Sequence, residues 1–334
     1  MILPENYLHI IKFLFTRVGL HGSRCSMIMG GDFLVLQQLI VLYIFIFLGW
    51  LFGKLKPENA QGSKLLSFLL VNLLLPSKVF STFAHSFTTT YLKENYVTFF
   101  ISTAILILLM LLAIPLAALL SKKKYEKNVY KYSFVVANYS YMGYSLIENS
   151  LGETALTNMI TYCIPFAIYT YTIGYVMLAG KGSFIKKLLN PMTISIVLGC
   201  FFGLVEIPVP GVFDTVLSTA SACVGPISML LVGLVISSFS KKQLLPNKET
   251  WIFVSLRLVA IPALVFGICK LIMLVCEVPA VYPYAVIAAC MPCGLNTVVF
   301  PRLVGEDCSQ GAKMVFYSHA LSIITIPLWL MILT

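Results

Sequence analysis

Ten long apolar runs joined by short connections constrain this chain more than any other feature. They fall at about residues 33–53, 62–82, 96–120, 129–148, 154–178, 189–205, 215–238, 250–272, 281–301 and 311–333. A helix that crosses a bilayer needs roughly 20 mostly apolar residues, whereas the strands of a membrane β-barrel read as shorter alternating segments. Of the 334 residues, 59% are hydrophobic and 11% charged, against about 25% charged in soluble domains. So few polar groups cannot clothe a soluble core of this size. An ordinary cytosolic enzyme, a disordered chain and a nucleic-acid-binding domain are excluded. The runs predict an all-α membrane protein whose binding chemistry lies within the lipid bilayer.

The net charge of +10 comes mainly from the connections. The odd-numbered ones hold Lys54, Lys56 and Lys64; Lys122, Lys123, Lys124, Lys127 and Lys131; Lys181, Lys186 and Lys187; Lys241, Lys242 and Lys248; and Arg302 with Lys313. The even-numbered ones hold Lys93, with Lys270 at a helix end. Cytoplasmic loops collect Lys and Arg. The pattern predicts a multi-pass protein of the cell membrane with the odd connections in the cytoplasm and both termini outside. Residues 1–31 dissent, because Lys12, Arg17 and Arg24 would then lie outside. They lack a small-residue cleavage site and read as an extension, with Met27 or Met29 as the initiator, or as an amphipathic helix on the outer surface.

The basic linker 181–190 divides the chain into five runs over 32–180 and five over 191–334. An odd number of spans per half makes the halves insert in opposite senses, the inverted repeat of many secondary transporters. Prolines match between halves: Pro76 with Pro226 in the second run, Pro115 with Pro262 in the third. The fourth runs match best. FVVANYSYMGYSLIE (134–148) carries Asn138, Tyr141, Gly143 and Ser145, and VIAACMPCGLNTVVFP (286–301) carries Pro292, Gly294, Asn296 and Thr297. Helix breakers beside amides at mid-membrane depth predict two interrupted helices. Unwound backbone is tolerated in a membrane only where it is buried in protein or lines a cavity. Such paired breaks point to a binding site whose half-helix N-termini suit an anion.

With these residues in view, the chain resembles the auxin efflux carrier family, a group within the bile-acid/sodium-symporter-like superfamily. The resemblance spans about residues 30–334. It rests on VNLLLP (71–76), NYSYMG (138–143), NPMTISIVLGCFFGL (190–204), GPISMLLVGLVIS (225–237), the Arg257 to Pro262 helix, AACMPCGLNTVVFPRLVGED (288–307) and SHALSIITIPLW (318–329). It implies ten helices in two inverted repeats, with the fourth and ninth crossing at the midplane beside the substrate. It also implies organic-anion export by a transport domain rocking against a scaffold, often in homodimers. Two positions depart from the family. Ser145 stands where relatives often carry proline, and Lys78 where they are usually apolar.

Ionisable groups in a membrane span are costly and mark function. The cores of the runs hold Lys78, Arg257 and His319 but no mid-span carboxylate, a cationic bias that fits an anionic substrate. Arg257 sits roughly 12 Å into its run at 1.5 Å per residue, where snorkelling or bracing of backbone carbonyls is the favoured role over anion binding. Lys78 can snorkel outward. His319 reads as a packed neutral ring or a proton carrier. Asn72, Asn138 and Asn296 can each donate two hydrogen bonds to a carboxylate without burying a charge, or cap a broken helix. Tyr139, Tyr141 and Tyr144 can form an aromatic wall. Gly225, Ser228 and Gly233 read as packing positions.

The expected substrate is a small organic anion, with coupling to protons, sodium or membrane potential left open. The alternatives are an intramembrane enzyme and an anion channel. No HExxH or GxGD motif supports the enzyme, no histidines share metal-ligand spacing, and no cofactor or metal is expected. The Cys290 to Cys293 spacing lacks the βαβ context of a redox site and reads as buried small side chains.

Overall fold

A computed structural model describes residues 22–56, 62–179, 190–275, 281–303 and 306–333. Residues 1–21, covering most of the expected extension, and 181–189 of the linker lie outside the described residues. Every regular element among the described residues is helical. In hydrocarbon each backbone N–H and C=O must be satisfied within the protein, and a helix does this within one segment.

The helices of eight or more residues are α1 (Gly22–Leu55), α2 (Ser63–Ser86), α3 (Thr89–Leu120), α4 (Lys124–Val135), α5 (Tyr139–Leu178), α6 (Pro191–Val205), α7 (Gly211–Ser237), α8 (Lys248–Leu274), α9 (Val281–Cys290), α10 (Asn296–Leu303) and α11 (Ser309–Leu333). Seven of these contain a stretch long and apolar enough to cross a membrane, and α6 is apolar but shorter. The large exposed side chains are aliphatic and aromatic, with Leu119 81%, Val212 78% and Leu274 82% exposed. Apolar patches of this extent are the surface of a lipid-facing protein.

Local chemistry explains the ends. The Thr88 hydroxyl accepts the N–H of Tyr91, so α3 starts at Thr89, ahead of the apolar run that begins at 96. Asn190 caps α6 by accepting from the Thr193 N–H at 3.0 Å, with Pro191 in the first turn. That turn has no use for the N–H that proline lacks. In α7 the chain is redrawn at Cys223, just before Pro226. In α8 the missing N–H of Pro262 leaves the carbonyl of Leu258 without its usual helical donor. Trp329 Nε1 of α11 donates to that carbonyl at 2.8 Å. Gly152, at φ 83°, breaks α5 between the fourth and fifth apolar runs.

Small residues set which helices meet. A Cβ on Gly233 of α7 would lie 2.0 Å from the Ile46 carbonyl oxygen of α1, so the two backbones touch there. Gly203 of α6 meets the Phe83 carbonyl of α2 in the same way. Close approach through small residues is how membrane helices associate without a hydrophobic force between them.

Candidate functional site

The fourth and ninth apolar runs are both interrupted, and the interruptions touch. Residues 132–147 and 285–301 are buried throughout. Helix α4 ends at Val135 and α5 begins at Tyr139; α9 ends at Cys290 and α10 begins at Asn296. Between these ends, Ala137 and Cys293 pair as an isolated antiparallel bridge. The Asn138 N–H donates to the Pro292 carbonyl at 2.8 Å. Backbone groups freed by each break therefore satisfy one another. Gly294 makes room, since a Cβ there would stand 3.3 Å from the Ala137 oxygen and 3.4 Å from that of Val136.

Each break brings one helix N-terminus and one C-terminus to the crossing. The first turns of α5 and α10 carry N–H groups with no acceptor in their own helix and the positive end of the helix dipole. The carbonyl of Asn138 accepts from the N–H groups of Met142 and Gly143, drawing the first turn of α5 into π-helical form. Thr297 Oγ1 donates to the Gly294 carbonyl at 2.8 Å and holds the start of α10.

Helix α11 supports the crossing. Ser318 Oγ accepts the Cys293 N–H at 3.0 Å. His319 lies 2.8 Å from the Val315 carbonyl through Nδ1 and 3.0 Å from Asn138 Nδ2 through Nε2. The neutral ring with its proton on Nδ1 suits both contacts, donating to the carbonyl and accepting from the amide. Asn138 Oδ1 is buried with no partner among the described residues. The Tyr141 hydroxyl donates to Asn296 Oδ1 at 2.8 Å. The hydroxyls of Tyr132 and Tyr171 lie beside the same amide and are buried, with no hydrogen bond of normal geometry. Neither tyrosine was singled out from the sequence. They lie on segments far apart along the chain, and only folding carries them to Asn296.

A polar cleft of about 260 Å³ lies beside His85 and Ser86. Serines and amides line it, with Ser145 and Gly225 on its wall. The Ser145 hydroxyl is buried and unpartnered, and a Cβ on Gly225 would stand 2.7 Å from it. Glu148 lines the cleft and pairs with Lys78. Among the described residues, no cluster of three His, Cys, Asp or Glu is placed to hold a metal ion.

The structure thus brings Asn138, Tyr141, Gly143, Pro292, Gly294, Asn296 and Thr297 to one place and sets Ser145 on the cleft. Three readings need correction. Asn72, in the π-helical turn Leu70–Leu74, is exposed and donates to the Phe68 carbonyl of its own helix at 2.8 Å. Lys78 does not snorkel outward, being fully buried with Glu148 as its counter-charge. Arg257 is only 1% exposed, so it does not snorkel either, and its Nε and Nη1 bond no carbonyl. Gly233 packs as expected, and Ser228 Oγ donates to the Tyr141 and Gly225 carbonyls at 3.0 and 2.9 Å.

An all-helical chain with lipid-facing flanks and two broken helices bonded to each other in its core has the architecture of a membrane transporter. This chain belongs to the membrane transport protein family, the auxin efflux carriers, whose family model matches residues 34–187 and 181–330. No curated protein matches the chain.

Proposed function

We propose that this transporter is a secondary carrier that moves a small organic anion out of the cell by alternating access. The observation that carries the reading is the bonded crossing of Asn138 with Pro292, where two half-helix N-termini, two amides and tyrosine hydroxyls converge in a buried site. Such a site offers donors rather than negative charge, which suits a carboxylate. The cleft that reaches Ser145 is its access path, and Asn138, Tyr141, Ser145 and Asn296 are its substrate contacts.

The ten apolar runs form two inverted five-helix repeats in this reading. Packing supports it: α1 lies on α7 and α2 on α6. The first helix of each half thus meets the second helix of the other, and the two fourth helices meet each other. Halves related by a two-fold axis produce this reciprocal pairing. The basic connections face the cytoplasm, both termini face outward, and the cleft opens to the outside. A negative cell interior favours anion exit by about 2.3 kcal/mol per charge at 100 mV.

The test is efflux from proteoliposomes loaded with a panel of mono- and dicarboxylates. Wild-type protein releases at least one of them, and Asn296→Ala, folded by thermal melt, does not. A folded wild-type protein that moves no panel member, or an Asn296→Ala variant with undiminished flux, ends this reading.

A further inference from the structure

Behind the crossing lies a second cavity, and Arg257 is on its wall. Arg257 sits in the π-helical turn Leu256–Ala260 of α8. Its side chain is buried, and its Nε and Nη1 have no acceptor. No carboxylate among the described residues lies within ion-pair distance of it. Arg257 lines the cavity with Ala137, Tyr139, Cys163, Ala288 and Ala289, and the rest of the wall is apolar. Ala137 belongs to the first interruption and Ala289 leads into the second, so the cavity abuts the crossing from behind. The space is about 10 Å³, room for about one water-sized group.

We infer that Arg257 binds a small monovalent anion in this cavity. A guanidinium does not shed its proton to escape burial. A buried charge without a counter-charge is among the costliest arrangements in a protein. The adjacent thiols of Cys290 and Cys293 are weak acceptors. A single water would take one donor and bring no charge. A monovalent anion supplies both the acceptor and the charge, and the volume excludes a bulky or branched one. A π-turn is a common setting for function, because it costs regular helix bonding. An anion of this size is a halide taken from solution. The site itself rests on Arg257 and stands whether or not the export reading holds.

The experiment measures thermal unfolding of the purified full-length protein at constant ionic strength in sodium chloride, bromide, acetate or gluconate. Chloride and bromide are expected to raise the midpoint saturably over gluconate, as ligands stabilise the state they bind. Arg257→Gln removes that difference, and Arg257→Lys retains part of it. Bromide, located by its anomalous scattering in a crystal, lies beside the guanidinium. A halide effect without an acetate effect assigns the site to a resident halide; an acetate effect of equal size would mean an anion too large for this cavity and overturns the inference. Equal midpoints in all four salts overturn the inference, as does a halide effect that persists in Arg257→Gln. If Arg257→Gln does not fold, the wild-type salt series and the bromide position still decide it.

Discussion

Lys78 and Glu148 form an ion pair in which the ammonium is fully buried and the carboxylate keeps partial contact with the polar cleft. The two residues are 70 positions apart and join α2 to α5. The pair lets a lysine sit in an apolar helix, where an unpaired ammonium would be very costly. Breaking a buried pair from one side leaves an uncompensated charge, at about 3–5 kcal/mol. Glu148→Leu and Lys78→Met are therefore each expected to lower thermal stability strongly, and the double variant Lys78→Met/Glu148→Leu to recover most of the loss. Additive losses in this double-mutant cycle would show that the two side chains do not depend on each other.

The Tyr141 hydroxyl and Asn296 offer a finer probe of the crossing. Tyr141→Phe removes one donor and leaves Asn296 Oδ1 unpaired, a loss of about 1–3 kcal/mol. The expected outcome is a folded protein with reduced stability and weaker apparent affinity for the transported anion. Unchanged stability in thermal melts would mean that Asn296 finds another donor.

His319 holds Asn138 from behind. His319→Ala strips Asn138 Nδ2 of its partner and is expected to cost about 1–3 kcal/mol, with flux falling as the amide loses its orientation. His319→Gln, which can still accept from the amide, should restore much of both. Equal flux from the alanine and glutamine variants would show that the contact with Asn138 does not matter for transport.

Gly233 lies against the Ile46 carbonyl with no room for a methyl group. Gly233→Ala must separate α1 from α7, and overpacking of this kind costs typically about 1–3 kcal/mol. Gly267, around which a Cβ would meet nothing within 4 Å, is the control. Gly267→Ala should leave the melting midpoint near wild type, and a similar drop in both variants would remove the packing argument.

Topology has a direct measurement. Lys122 is exposed in the basic connection after α3, and Asn149 is exposed on the polar cleft. In a cysteine-free background, an impermeant thiol reagent added to intact cells should label Asn149→Cys and spare Lys122→Cys. The reverse pattern would invert the orientation.

Much of the architecture was legible because the membrane imposes a strict rule on sequence. Backbone in hydrocarbon must be helical, so apolar run length reports helices, and helix breakers within a run report interruptions. Asn138, Pro292, Gly294 and Asn296 stood out for that reason. Asn72 misled because it shares the chemistry of the other amides, and nothing local reveals that it is exposed. Lys78 and Arg257 misled because snorkelling depends on what surrounds a side chain. Glu148 meets one of them across 70 residues, and among the described residues no carboxylate meets the other.

The sequence by itself determined the class of this protein, the places where its helices run, and where two of them break. These follow from short-range physics: hydrophobicity, helix propensity and the missing N–H of proline. Tertiary structure alone decided that the breaks bond to one another, that Tyr132 and Tyr171 lie beside Asn296, and that Arg257 is buried without a counter-charge among the described residues. Those facts depend on packing between distant segments, where the energy of a group is set by its neighbours in space.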